Sequence, residues 1–411
     1  LSIDRMPTAM SFASPFRRRD FHRSMLGLLA GPALGLPAAA APSGAPVRVG
    51  IDGEFGLANS TSAQAIELGV KVAVDQINSA GGVLHGRPIE IVTKDHRSIP
   101  ARGIRNIEEF DAMPDMLAVF GARFSPVIIE ELPLLRRMHL PFLAVWSAAD
   151  VIVDNGTSPN YVFRLSLRDS LAMPFIMEAA ARRKIERVGL LFTNTSWGRS
   201  NLAAVDRYTG SHDKPKVVAT TWYNWTEHTL VDKYLKLVQA GAQAVLMVAN
   251  DDEAATLVRE VAALPADKRL PLLSHWGITG GKFFQDCGPA LRSVDFSVIQ
   301  TFSFFKARKP QLDRFMSTAA QFGIHRIEDI QSPVGVAHAY DMMHILAKAI
   351  QLAGKADRAA VRDALERVRD YDGLVRHYDP PFTPTRHEAL TPQELMMCRF
   401  REDGALVPAD D

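Results

Sequence analysis

Cysteine is scarce in this chain: of 411 residues, only Cys287 and Cys398 carry a thiol. They lie far apart and match no metal-ligand spacing, which leaves two readings open: one pair formed in an oxidising compartment, or two buried thiols. Long apolar runs are missing too. Met25 to Pro37 is apolar but interrupted by Gly and Pro and too short to span a bilayer, and no later segment offers 18 consecutive apolar residues. A membrane-spanning chain is therefore not expected. Nor is there an excess of charge of one sign, since the net charge is +1; strong attraction to nucleic acid or anionic lipid is excluded with it. Signatures of catalysis fail as well. There is no Gly-x-Ser-x-Gly elbow, and His387-Glu388 lacks the second histidine of a zinc helix. Gly280-Gly281-Lys282 lacks the earlier glycine of a phosphate loop, with Phe283 in place of Ser or Thr. His338, Asp341 and His344 share one helix at spacings of three, which spreads them over about a third of its circumference and favours core packing over metal binding. No catalytic residue, metal or cofactor is expected, and there is no short repeat or low-complexity tract.

What is present begins with a leader. Arg17-Arg18-Arg19-Asp20-Phe21-His22-Arg23 is a basic start, Met25–Pro37 an apolar middle, and Ala39-Ala40-Ala41 supplies the small residues of a cleavage site. Arg18-Arg19-Asp20-Phe21 resembles a twin-arginine export signal, although His22 and Arg23 stand where that signal usually has Leu-Lys; ordinary Sec export is the alternative. Either route predicts a signal peptide over residues 1–41, cleavage near Ala41 and a periplasmic location. Its removal takes away five Arg and two Asp, so the 47 basic and 46 acidic residues of the full chain become 42 and 44.

The remaining 370 residues, 411 less the 41 of the leader, are more than one core usually organises. They alternate short apolar runs with helical stretches, the pattern of an α/β chain with parallel sheets. Strands are expected at Val47–Ile51, Ile89–Thr93, Leu117–Phe120, Pro141–Val145, Val188–Phe192, Val217–Thr221, Ala244–Val248, Leu270–Ser274 and Phe296–Thr301. Helices fall between them, among them Thr61–Ser79, Pro100–Asp111, Ser125–Met138, Ser170–Arg183 and Asp252–Ala263. In the first, Ile66, Val70, Ala73 and Ile77 recur at spacings of four, three and four and make one apolar stripe. Val334–Leu352 and Arg358–Arg369 read as returning helices, Pro380–Pro384 as a rigid extended segment. Met396–Val407 reads as a hairpin turning at Asp403-Gly404.

Several fragments, in order, resemble periplasmic binding proteins of the leucine/isoleucine/valine-binding type. They are the opening strand, loop and helix from Val47; Gly69 to Gly86, with its Asn-Ser-Ala-Gly-Gly exit; Asn160 to Arg164; Arg187 to Gly198; and Ala339-Tyr340-Asp341. The resemblance covers nearly all of the chain after the leader. It implies two doubly wound α/β lobes of parallel sheet, joined by three hinge crossovers, with a ligand trapped between them. Lobe I is expected over 47–165 plus about 303–375, lobe II over 166–302 plus about 376–411. The function it implies is the extracytoplasmic solute-binding component of an ABC importer: a monomer with a small-molecule ligand and a permease as partners, and no covalent step. The alternative is a ligand-sensing module for a signalling receptor or regulator.

In open α/β sheets, ligands bind beyond the carboxyl ends of the strands. Those loops carry Glu54 and Ser62 after the first strand, Arg123, Phe124 and Ser125 after the third, and Trp146, Ser147 and Ala148 after the fourth. In the second lobe they carry Trp197, Asn250 and Trp276. Relatives that bind amino acids hold the α-carboxylate with a hydroxyl and backbone N–H groups of the third and fourth loops, which places Ser125, as a helix cap, and Ser147 to Ala149 there. Arg123 offers a bidentate contact to a carboxylate. Three of the five tryptophans, 146, 197 and 276, fall in cleft loops and predict a flat or apolar ligand body. The acid with which relatives often meet a ligand ammonium is absent from Ser274-His275-Trp276-Gly277. Glu54, Asp251 and Asp252 are the substitutes within reach. An amino acid and an aromatic or apolar acid without an amine are equal contenders.

Overall fold

The computed structural model describes residues 44–409; the leader and its cleavage site lie outside the described residues. The first parallel sheet is built from Val47–Gly53 (β1), Ile89–Asp95 (β2), Met116–Gly121 (β3), Phe142–Ala144 (β4) and Val162–Arg164 (β5), in the order β2-β1-β3-β4-β5. The helices α1 (Ser62–Ser79), α2 (Pro100–Asp111) and α3 (Ser125–Met138) connect its strands. The chain then crosses to α4 (Asp169–Arg182) and repeats the plan with β6 (Arg187–Thr193), α5 (Ser196–Thr209), β7 (Lys216–Tyr223), α6 (Val231–Gln239), β8 (Ala244–Val248), α7 (Asp251–Ala262), β9 (Leu272–Ser274), α8 (Phe283–Cys287) and β10 (Phe296–Gln300). These strands run β7-β6-β8-β9-β10. Both sheets therefore reverse their strand order beside their first strand, and the reversal opens a crevice at β1/β3 in one lobe and β6/β8 in the other. The protein is an α/β molecule of two doubly wound lobes, as the pattern of short and long apolar segments predicted.

After β10 the chain returns to the first lobe through α9 (Lys309–Ala319), α10 (Pro333–Ala353), α11 (Arg358–Leu365) and a small hairpin, β11 (Tyr371–Asp372) with β12 (His377–Tyr378). It crosses once more to add β13 (Met396–Phe400) antiparallel to β10 and β14 (Leu406–Pro408) antiparallel to β13, with Gly404 at φ +86° in the turn expected at Asp403-Gly404. Cys287 and Cys398 are buried free thiols, both pushed up to about 12 by burial. Among the described residues no helix is long and apolar enough to cross a membrane.

Two details correct the sequence reading. Val162–Arg164, where no strand was expected, is the fifth strand of the first sheet, paired to β4. Ser125 is not the cap of α3: Phe124 holds that place in extended conformation, and the Ser125 hydroxyl instead accepts the Ala149 N–H at 3.3 Å. His338, Asp341 and His344 are buried or half-buried packing groups on α10. His338 bonds Val145 O (3.1 Å) and Thr301 Oγ1 (2.9 Å), while Asp341 accepts the Leu374 and Val375 N–H groups at 2.6 and 2.8 Å. Burial pushes His338 down to about 4 and Asp341 up to about 6.

α1 meets α10 through Ala65, Gly69 and Gln76, and Gly69 is where the two backbones meet. A Cβ at 69 would collide with the carbonyl oxygen of Val336 and stand 3.0 Å from Tyr340 N. Backbone cannot move aside as a side-chain tip can, so Gly69→Ala is expected to destabilise the protein by about 1–3 kcal/mol. A lower midpoint in urea at an unchanged slope checks this; an unchanged midpoint dismisses the close crossing.

Candidate functional site

The loops at the carboxyl ends of the two sheets face each other and touch. Residues 58–61, before α1, lie along 279–282 of the second lobe. Thr61 N–H donates to Gly280 O (2.8 Å), Lys282 Nζ to Ala58 O (3.4 Å) and Ser332 Oγ to Thr279 O (2.7 Å), and Ser60 bridges Gly281. Asn59 Nδ2 donates to Asp252 Oδ1 at 3.0 Å. The lobes are closed.

Arg123 spans this closure. From the β3 loop its Nη1 donates to Asp251 Oδ1, at the start of α7, at 2.6 Å, and Gly280 leaves room for the guanidinium because a Cβ there would strike it. Gly281 does the same for Asp251. Burial works against the Arg123 charge, yet Asp251 and Glu54 more than offset it and its pKa rises. Burial raises the Asp251 pKa even with Arg123 beside it.

Glu54, fully buried after β1, lies 3.9 Å from Arg123 Nε. Its Oε1 accepts the hydroxyls of Ser62 and of Ser60 (3.0 Å). His96, from the β2 loop, accepts the Ser98 N–H on Nδ1 at 2.9 Å and turns Nε2 toward Glu54 Oε2 at 3.9 Å. Burial lowers the His96 pKa despite Glu54, so its ring is neutral near pH 7. Phe124 carries the Arg123 guanidinium over its face at 4.8 Å and meets Trp225 of the second lobe edge-on at 5.5 Å. Behind them, burial and the neighbouring Glu131 hold Asp52 well above the usual range; its Oδ1 accepts Asn106 Nδ2 at 2.6 Å.

The expected site residues thus divide. Glu54, Ser62, Arg123 and Phe124 form one cluster with Asp251. Trp146 and Trp276 meet at a tilt across the lobes, 5.7 Å between ring centres, with Trp276 also 5.7 Å from His338 of α10 and Trp146 filling the space that Gly335 leaves. Trp197 points elsewhere: its Nε1 donates to Asp169 at 3.2 Å, and its ring meets His275 at 5.0 Å. Ser147 gives its hydroxyl to Ala122 O (2.6 Å), Ala148 O accepts the Asp169 N–H (2.9 Å), and Asn250 is the N-cap residue of α7. Sequence reasoning did not single out His96, Ser60 or Trp225. The first lies in the loop after β2 and the last in the loop after β7, and those two equivalent loops were the signal available.

A family model for periplasmic binding proteins matches residues 46–405. The chain belongs to the periplasmic binding protein family. Its type is that of the leucine/isoleucine/valine-binding proteins, which are extracytoplasmic, bind small solutes without catalysis and work with ABC permeases. Solved structures of the same fold include a periplasmic binding protein type 1 from Bordetella pertussis (21% identity, TM-score 0.79, 89% of this chain and 100% of the other). A Streptococcus pneumoniae branched-chain amino acid transporter substrate-binding protein in complex with isoleucine is 18% identical (TM-score 0.73, 89% and 100% covered). A solute-binding protein of R. palustris in complex with 4-hydroxybenzoate is 17% identical (TM-score 0.72, 89% and 96% covered). No curated protein matches by sequence.

Proposed function

We propose that this protein is the periplasmic solute-binding component of an ABC importer, and that its lobes, 47–165 with about 303–375 and 166–302 with about 376–411, close on a small carboxylate-bearing solute, an amino acid or an aromatic or apolar acid. The observation that carries the reading is the Arg123–Asp251 pair at 2.6 Å, a buried charge contact joining the crevice loops of opposite lobes. It makes the inside of the closed cleft polar and specific while its rim is held by backbone contacts. Closure is then a population shift, because a solute that touches both lobes binds the shut form best. The isoleucine and 4-hydroxybenzoate of the two neighbours are the solute classes to test first.

A thermal-shift screen of amino acids, aromatic acids, short amides and dicarboxylates tests capture. At 100 times its dissociation constant a true solute adds about 2.7 kcal/mol and raises the melting temperature. Tryptophan emission is expected to change with it, since Trp146 and Trp276 touch across the lobes. A deletion strain should lose uptake of the same solute. Uptake that persists refutes the import role, and turnover of the solute by pure protein refutes the binding role.

A further inference from the structure

Behind the cleft, the carboxyl group of Asp52, on β1, meets that of Glu131, on α3, within hydrogen-bond reach. Both residues are buried, and among the described residues Asp52 Oδ2 and the two Glu131 oxygens accept no N–H bond. Asn106 of α2 donates to Asp52 Oδ1 at 2.6 Å, and Gly103 of the same helix packs so closely on Glu131 Oε1 that a Cβ there would collide with it. Among the described residues no cation pairs with either carboxyl. The other charge that acts on them is that of Glu54, through Asp52, while Arg123 and His96 are engaged with Glu54 itself at 3.9 Å each. Ionised carboxylates only accept hydrogen bonds, so two of them in contact away from water repel each other. One proton removes the conflict. It makes one carboxyl a donor to the other and takes away a buried charge.

We propose that Asp52 and Glu131 hold a shared proton at neutral pH, and that it acts as a pH-sensitive clasp keeping the first lobe's side of the cleft in its closed shape. The clasp joins the elements that carry the cross-lobe contact. Asp52 O accepts the Ala122 N–H at 3.2 Å, one residue before Arg123, and Asp52 stands two residues before Glu54. α3 begins at Ser125, directly after Phe124. Each proton lost leaves a buried negative charge near Glu54, and loss of both would drive α3 from β1 and draw Arg123 from Asp251. Burial pushes Glu131 up to about 7 and, with Glu131 and Glu54 adding to it, holds Asp52 well above the usual carboxylate range. In the unfolded chain both ionise near pH 4, roughly. The stability that the pair supplies is therefore complete below that range and falls as pH rises through about 7, because the folded form keeps protons that the unfolded form has lost. Asp251, raised by burial beside Arg123, acts in the opposite sense on closure, since its ionisation strengthens the contact. The comparison must therefore be with a variant that keeps it.

The test uses the full chain without any solute: urea unfolding at a series of pH values, wild type against Glu131→Gln, which can still hydrogen-bond Asp52 but carries no charge. The ratio of the wild-type folding constant to that of the variant should fall about tenfold for each pH unit from about 5 to about 7, the slope of one retained proton, while groups common to both chains cancel. Fluorophores placed one on each lobe should report a separation that grows with pH in wild type and much less in the variant. Parallel stability curves overturn the shared proton. The expected fall in stability with a separation that pH does not change overturns the clasp. Wild type that sodium or calcium stabilises while leaving Glu131→Gln unaffected holds a metal cation between the carboxyls, and this too overturns the inference. If Glu131→Gln fails to fold, Asp52→Asn, which removes the other carboxyl of the pair, is read in the same way.

Discussion

Replacing Arg164 by alanine is expected to cost the folded protein about 3–5 kcal/mol, the loss that follows when one partner of a buried ion pair is removed. Arg164 is fully buried on β5, beside the last crossover between the lobes. Its Nε donates to both Glu388 oxygens at 3.1 and 2.9 Å and Nη2 adds a bond at 2.5 Å, while Nη1 holds Ala149 O at 2.9 Å and Ser147 O at 3.3 Å. The backbone repeats the connection: Arg164 N–H donates to His387 O (2.8 Å) and Ala389 N–H to Arg164 O (2.9 Å). His387 stacks on Phe163 at 3.9 Å. Truncation would leave the Glu388 carboxylate only the more distant Arg168, at 3.6 Å, and strand two carbonyls at the hinge. Chemical denaturation measures the loss. The double variant Arg164→Met, Glu388→Gln separates charge from packing and should recover part of it, because two neutral groups of similar size leave no charge unpaired. A single variant as stable as wild type would show that Glu388 reaches water and that the pair does not fasten the hinge.

The architecture was legible because it follows local rules. Val47–Gly53 and Ala244–Val248 are short apolar runs of buried parallel strand, and Pro100–Asp111 and Ser125–Met138 carry the spacing that places one face on a sheet. Strand-end loops could be named from those elements, which is why Glu54, Ser62, Arg123 and Phe124 were found together. What stayed hidden depends on contacts remote in sequence. That Asp251 would take Arg123 from 128 residues away is decided by how far the lobes close, which no local pattern records. β5 was not expected because three residues carry no period of their own; it becomes a strand through β4 on one side and Glu388 on the other. The tryptophans misled in a different way. Their position after strands is shared by residues that line a cleft and residues that fill the hinge behind it, and only packing separates Trp146 and Trp276, buried against each other, from Trp225, whose Nε1 is unmatched.

The same cross-lobe pair sets the second large effect. Arg123→Ala should destabilise the closed form by about 2–5 kcal/mol relative to the open one, the cost of leaving a desolvated partner unpaired. With the lobes apart, Asp251 sits at the start of α7 in contact with water, where a carboxylate is welcome. With the lobes shut it is buried, and without Arg123 nothing compensates it. The open population must therefore grow, and binding of any solute that needs the shut form weakens by the same equilibrium. Fluorophores placed one on each lobe should report a longer mean separation in Arg123→Ala, and small-angle scattering a larger radius of gyration, while resistance to urea changes little because the lobes remain folded. Asp251→Ala should open the protein too, since it leaves the Arg123 guanidinium buried 3.9 Å from Glu54 with a poorer partner. The decisive comparison is the double variant Arg123→Ala, Asp251→Ala. If the pair acts as a latch, removing both strands neither charge, and the lobes should sit closer together than in either single variant. Separations that simply add across the two substitutions would mean that the residues act independently, and that backbone contacts such as Thr61 with Gly280 hold the cleft shut without them.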